Sequence, residues 1–172
     1  MEMRPATPGD LDAICRVHAM AFAASEHGHH GEADLVRAFH DDGDVLFSLC
    51  AFENDGLIGH VLFSRVMTEA DGTPLAASAL APVAVLPDRR AKGVAATLIR
   101  AGHEALRAHG IRIDFVLGDP AYYGRFGYAA AQAEPFASPY AGPYFMGCAL
   151  DSAVPTPQRG VAIHATAFAR LA

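Results

Sequence analysis

Apolar residues recur at two spacings along this chain, and the switches between them lay out its elements. Leu11, Ile14, His18 and Phe22, with Ala21 beside them, keep helical spacing. Thr7-Pro8-Gly9-Asp10 opens that run: Thr7 can cap, Pro8 suits a first turn, and Asp10 favours the positive end of a helix. Glu32 to His40 predicts a second short helix with Leu35, Val36 and Phe39 on its apolar face. Met1 to Pro5, Val45 to Phe52, Leu57 to Met67 and Leu75 to Leu86 predict extended segments. Asn54-Asp55-Gly56 and Asp71-Gly72 tolerate positive φ and mark turns, so three of these segments form an antiparallel meander.

Gly93 to His109 predicts the longest helix, with Val94, Leu98, Ala101 and Ala105 in one row and Ala95, Ile99, Gly102 and Leu106 in the next. Gly110 stops it, and Ile111 to Leu117 follows as a nearly continuous apolar strand. Strand, helix and strand in that order predict a crossover with parallel strands. Pro120 to Arg125 predicts a short helix, Ala129 to Pro143 loops, and Phe145 to Leu150 and Val161 to His164 late strands. The fold class is therefore α+β: a mixed, twisted central sheet, antiparallel first and parallel around the long helix, flanked by helices. No repeat or linker interrupts the chain, which reads as a single domain over residues 1–172. Pro82 lies inside a strand and cannot donate to a ladder. It marks either a defect at the sheet margin or a place where the strand leaves its neighbour and offers backbone to a ligand.

Composition narrows the function. A formal net charge of -6 argues against a general nucleic-acid binder, which carries a basic face. Locally, Arg89-Arg90-Ala91-Lys92 is basic, so an anionic ligand stays open. Cys15, Cys50 and Cys148 are odd in number and scattered, which suits free thiols in a reducing, cytoplasmic setting. Met1 to Pro5 lacks a signal pattern and no apolar run is long enough to cross a bilayer, so no membrane partner is expected.

The densest chemistry is Arg90-Ala91-Lys92-Gly93-Val94-Ala95-Ala96, between a strand and a helix N-terminus. A first helical turn leaves backbone N–H groups without partners, and its dipole adds partial positive charge. Gly93 and Ala95 are small enough for a phosphate to approach, and Arg90 and Lys92 add charge. From spacing alone, an ordinary helix start with solvated basic residues is an equal alternative. No Gly-x-x-x-x-Gly-Lys-Ser/Thr or Gly-x-Gly-x-x-Gly segment is present, which weighs against a nucleoside triphosphatase and a dinucleotide enzyme.

Arg90, Gly93 and Ala95 fit an Arg/Gln-x-x-Gly-x-Gly/Ala pattern that resembles the acetyl-coenzyme A (acetyl-CoA) site of the GCN5-related N-acetyltransferase (GNAT) family. Arg4-Pro5-Ala6-Thr7 with Asp10-Leu11 is similar to that family's opening, and Leu80 to Pro87 to its splayed fourth strand. Val116-Leu117-Gly118-Asp119-Pro120 and Tyr122-Tyr123-Gly124-Arg125-Phe126-Gly127-Tyr128 resemble its fifth strand and the block beyond, in the wording of a bacterial YhbS-like branch. The resemblance implies a GNAT fold and acetyl transfer from acetyl-CoA to an amine of a small molecule or peptide. It implies that Val83, Ala84 and Val85 pair with the pantetheine arm and that amides from Arg90 to Ala96 (Arg90, Ala91, Lys92, Gly93, Val94, Ala95, Ala96) hold the pyrophosphate. It implies that Tyr123 is the general acid; a phenol with a pKa near 10 stays protonated at neutral pH and can donate to a leaving thiolate. The competing reading of Tyr123 is a packed aromatic whose hydroxyl bonds to backbone.

Spacing singles out no general base among Glu26, Glu32, Glu53, His60 and ordered water. Ser25 to Glu32, with His27, His29 and His30, reads as a polar loop with no metal, since helical i, i+4 histidine spacing and a distant second pair are missing. A homodimer is compatible with the sequence. A non-catalytic acyl-CoA sensor and a dimeric scaffold with a vestigial cleft are the competing functions.

Overall fold

The computed structural model describes residues 1–23, 31–152, 154 and 156–171. The chain divides into two compact units: residues 1–63, 82–102 and 166–172, and residues 64–81 and 103–165.

The first unit holds β1 (Glu2–Pro5), α1 (Leu11–Phe22), α2 (Glu32–Asp41), β2 (Val45–Glu53), the first part of β3 (Gly56–Ala70), the end of β5 (Ala77–Val85) and the start of α3 (Val94–Ala108). Its strand order is β1-β2-β3-β5. β1 runs antiparallel to β2 from Glu2 opposite Phe52 to Pro5 opposite Leu49. Asn54 and Asp55 both have positive φ, which closes the β2–β3 hairpin in two residues. The start of α1 is fastened by charge. Arg4 donates to both carboxylate oxygens of Asp10 at 2.7 and 2.8 Å, and Asp10 also accepts from the Thr7 N–H and hydroxyl. These bonds, Arg4 first, hold the Asp10 carboxyl well below the usual range.

α1 turns Ile14, Cys15, Val17, His18 and Ala21 inward. Val17 and Ala21 pack against Ala84 of β5, with Phe22, Leu57 and Leu86 around them. α3 lies close on β3 because two glycines remove the obstruction. A methyl group at Gly59 would sit 3.0 Å from Val94, and one at Gly102 would sit 2.3 Å from the Phe63 ring.

The second unit holds the rest of β3, β4 (Thr73–Pro74), the start of β5, the end of α3, β6 (Ile113–Leu117), α4 (Pro120–Tyr123), α5 (Ala130–Ala133), β7 (Phe136–Ala137), β8 (Phe145–Ala149) and β9 (Gly160–His164). β5 and β6 pair in parallel on either side of α3, as the strand–helix–strand order predicts. β8 is antiparallel to β6, and β9 is antiparallel to β3 and parallel to β7. The core gathers around Phe115, whose ring meets Phe136 and Phe145 at 5.2 and 5.3 Å. A buried polar group sits beside it. Asp114 accepts from the Ser78 hydroxyl at 2.5 Å and from the Tyr128 hydroxyl, and His103 lies 2.8 Å from that same hydroxyl.

One expectation changes. The stretch from Ala129 to Pro143 is not all loop: Ala129 bridges Gly147 and leads into α5, and Phe136 is buried as β7. The extended segment expected from Leu75 to Leu86 is a single strand, β5, and two residues just before it form β4. The chain also ends in a 3-10 turn, Thr166–Leu171, whose short period left no helical stripe in the sequence.

Candidate functional site

The residues read from the sequence as cofactor-binding, Val83 to Ala96, fall on one continuous strand–turn–helix of the first unit. The register between β5 and β6 runs from Ala77 to Leu80 and stops two residues before Pro82, while β5 continues to Val85. Within that continuation Ala84 is committed to the core against Val17 and Ala21, and Val83 is only half-buried. Leu86 N–H still bonds to the Ile58 carbonyl, so the other edge of the strand is held. A 3-10 turn at Pro87–Arg89 leads into the exposed residues Arg90 to Gly93.

That turn is bent by two residues at positive φ, Ala91 at 60° and Gly93 at 79°. Gly93 suits this freely; alanine there is strained by about 1–2 kcal/mol. The first helical bond of α3 is Thr97 N–H to the Gly93 carbonyl at 2.9 Å, and the Thr97 hydroxyl turns back to the same oxygen. The amides of Gly93, Val94, Ala95 and Ala96 therefore precede the helical ladder. Among the described residues no side chain accepts from them. A Cβ built on Gly93 meets nothing within 4 Å, so the ground before these amides is open.

Charge around the turn is more specialised than its composition suggests. Arg89 is bound by Glu53 and by its neighbour Asp88, each at 2.6 Å. Arg90 donates to the Ala21 carbonyl, near the end of α1. Lys92 is exposed and has no ion-pair partner among the described residues. Of the two cations expected to face an anion, Arg90 is thus tied to a helix end, and Lys92 is free.

Tyr123 belongs to the second unit, in the last turn of α4. Asp119 caps that helix by accepting from the Ala121 N–H at 2.9 Å. The Tyr123 ring lies directly over Gly118, where a methyl group would come within 2.4 Å of it. Tyr122 and Tyr128 meet it edge-on at 5.0 and 5.8 Å. Its hydroxyl bonds to no described residue, against the reading of a hydroxyl spent on backbone. Burial, then the neighbouring Tyr122, push its pKa up to about 12.

A family model for the GNAT acetyltransferase domain matches residues 2–131, from β1 through this turn to α5. The chain belongs to the GNAT family. Among GNAT relatives, YjhQ of Escherichia coli K12, an uncharacterized N-acetyltransferase, is 34% identical over 134 residues, covering 76% of this chain and 71% of its own. YhbS of the same organism, also an uncharacterized N-acetyltransferase, is 38% identical over 101 residues, 58% of this chain and 59% of its own. The crystal structure of YhbS in complex with CoA superposes with a TM-score of 0.84 at 28% identity, covering 99% of this chain and 93% of that one. A GNAT acetyltransferase from Brucella melitensis in complex with acetyl-CoA superposes at 0.80 and 30% identity, covering 97% of both.

The candidate bases of this GNAT chain separate on the structure. His60 is fully buried and shares a 2.9 Å hydrogen bond with His18. Burial, then His18, hold its pKa well below 6.5, so it stays neutral and out of contact with solvent. Glu53 is occupied by Arg89, and Glu32 is buried at the start of α2. Glu26 and the histidines His27, His29 and His30 lie outside the described residues. Two functional details escaped the sequence. The role of Gly118 under Tyr123 had only the Gly-Asp-Pro helix-start wording to signal it. The Arg90–Ala21 bond joins residues 69 apart, and nothing in either local pattern points to the other.

Proposed function

We propose that this chain transfers an acetyl or short acyl group from acyl-CoA to an amine of a small molecule or peptide. The observation that carries the reading is the open turn before α3, whose four amides no side chain covers among the described residues. The turn suits a diphosphate: converging N–H groups, the positive helix end, an exposed Lys92 and no Cβ at Gly93. In this reading Gly93 to Ala96 hold the pyrophosphate, and Val83 and Val85 offer backbone to the pantetheine arm beyond the end of the β5–β6 register. Bound acyl-CoA supplies an activated thioester carbonyl.

Tyr123 is the hydrogen-bond donor to negative charge developing on the departing sulfur. At about 12 its hydroxyl keeps its proton throughout the physiological range. No described carboxylate or histidine is assigned as base; with His60 buried and Glu53 ion-paired, an amine that reaches the enzyme already deprotonated, or through ordered water, fits best. Three buried free cysteines suit residence in the cytoplasm.

The experiment is a thermal shift with acetyl-CoA followed by an amine panel read by thiol release. Stabilisation with amine-dependent thiol release is the expected result. Stabilisation with no release across the panel would favour a sensor, and no stabilisation would remove the CoA assignment.

A further inference from the structure

The outer face of the β3–β9 ladder carries an apolar patch that the acetyl-transfer reading does not use. Along β3, Val66 and Thr68 point inward and are buried, while Arg65, Met67 and Glu69 point outward. Along β9, Ala162 is buried and Val161 and Ile163 point outward. Register places Met67 opposite Ile163, Glu69 opposite Val161, and Val161 beside the exposed Ala137 of β7. Met67 is 71% exposed, Ile163 56% and Val161 40%. Exposed apolar side chains scattered singly are ordinary, but these are lateral neighbours on one ladder.

The charges flanking the patch indicate what covers it. Arg65 and Glu69 stand two residues either side of Met67 and bear opposite signs, and neither has an ion-pair partner among the described residues. The pattern Arg65–Met67–Glu69 is its own complement when reversed. A second copy rotated by a two-fold axis between the faces, at right angles to the strands and level with Met67, lays β3 antiparallel over β3. Met67 and Ile163 then meet at the centre, and Arg65 of each copy faces Glu69 of the other. Stacked sheets lie about 10 Å apart, within the joint reach of an arginine and a glutamate. Such contacts are isologous, so each appears twice.

We propose that this face is a homodimer interface, with Met67, Ile163 and Val161 as its apolar centre and two reciprocal Arg65–Glu69 pairs at its rim. A stable dimer needs about 800 Å² per partner, more than these residues alone supply, so the rim extends over Ala137 and the neighbouring outer positions of β7 and β9. The inference stands independently of the acyltransferase reading.

Sedimentation of the 172-residue chain over a concentration series tests it. The wild type is expected at twice the 18.1 kDa chain mass. Met67→Lys, at an exposed site, is expected to run as a folded monomer with an unchanged far-ultraviolet circular dichroism spectrum, and Ile163→Lys serves as a second variant should Met67→Lys misfold. Arg65→Glu and Glu69→Arg each turn two attractions into two repulsions and are expected to weaken the dimer roughly tenfold or more. Mixing those two variants, or combining the changes in one chain, restores both pairs and with them the dimer. A wild type that is monomeric throughout, a dimer untouched by the lysine variants, or a mixture that fails to recover would each overturn the proposal.

Discussion

Tyr123→Phe deletes one oxygen and leaves a ring that still packs over Gly118, between Tyr122 and Tyr128. If that hydroxyl donates to the leaving sulfur, kcat for acetyl transfer falls about 10²–10⁴-fold while acetyl-CoA affinity, read by titration calorimetry, stays level. The pH profile adds a second check. Because the Tyr123 pKa is raised to about 12, its protonated form persists well past pH 10, the ordinary tyrosine pKa. Thiol release should therefore climb with pH as the amine deprotonates and show no descending limb near pH 10. His18 and His60 predict the opposite end of the scale. Burial lowers the His18 pKa from 6.5 to about 3 and that of His60 well below 6.5. The unfolded chain takes up protons first, so this stability is complete above pH 6.5 and is lost as pH falls from there toward about 3. Thermal melts should be flat above neutrality and decline below pH 6.5, with a shallower decline in His18→Gln/His60→Gln.

At the scale of elements, the β5–turn–α3 unit was legible because it is local. Turn residues, helix rows and small side chains fall within one stretch of sequence and obey rules of spacing. What the sequence did not disclose depends on partners that arrive from elsewhere. Gly59 and Gly102 looked like neutral members of a strand and a helix row, yet they set how closely α3 approaches β3. Gly102→Ala would force a methyl group into the Phe63 ring and is expected to destabilise the fold by about 1–3 kcal/mol, read by urea denaturation. The Arg90 side chain read only as a basic group of the turn, and its bond to the Ala21 carbonyl, 69 residues away, had no local signal. The Ala129 to Pro143 stretch read as loop because a four-residue helix and a two-residue strand are too short to show a period. Tyr123 was singled out through its motif, whereas a hydroxyl bonded to no described residue and a seat on Gly118 required coordinates.

For the molecule as a whole, acetyl-CoA is the expected stabiliser. A ligand that binds only the folded chain at a hundred times its Kd adds about 2.7 kcal/mol, which for a protein of this size is roughly 5–10 °C in Tm. The shift should be lost in a variant carrying bulk at the turn, such as Gly93→Val, where φ of 79° disfavours any side chain. Among the described residues no helix is long and apolar enough to cross a membrane.

Ala91 holds a left-handed backbone angle without being glycine. A mirror-image alanine, introduced by chemical ligation, would occupy the same angle at ease, and the difference between the two forms would weigh how firmly the surrounding chain grips this bend. A large difference would mean that the bend is set by the scaffold rather than drawn in by its guest. Recognition at this corner would then proceed with little rearrangement, and a more pliant glycine at 91 would slow it by letting the corner wander.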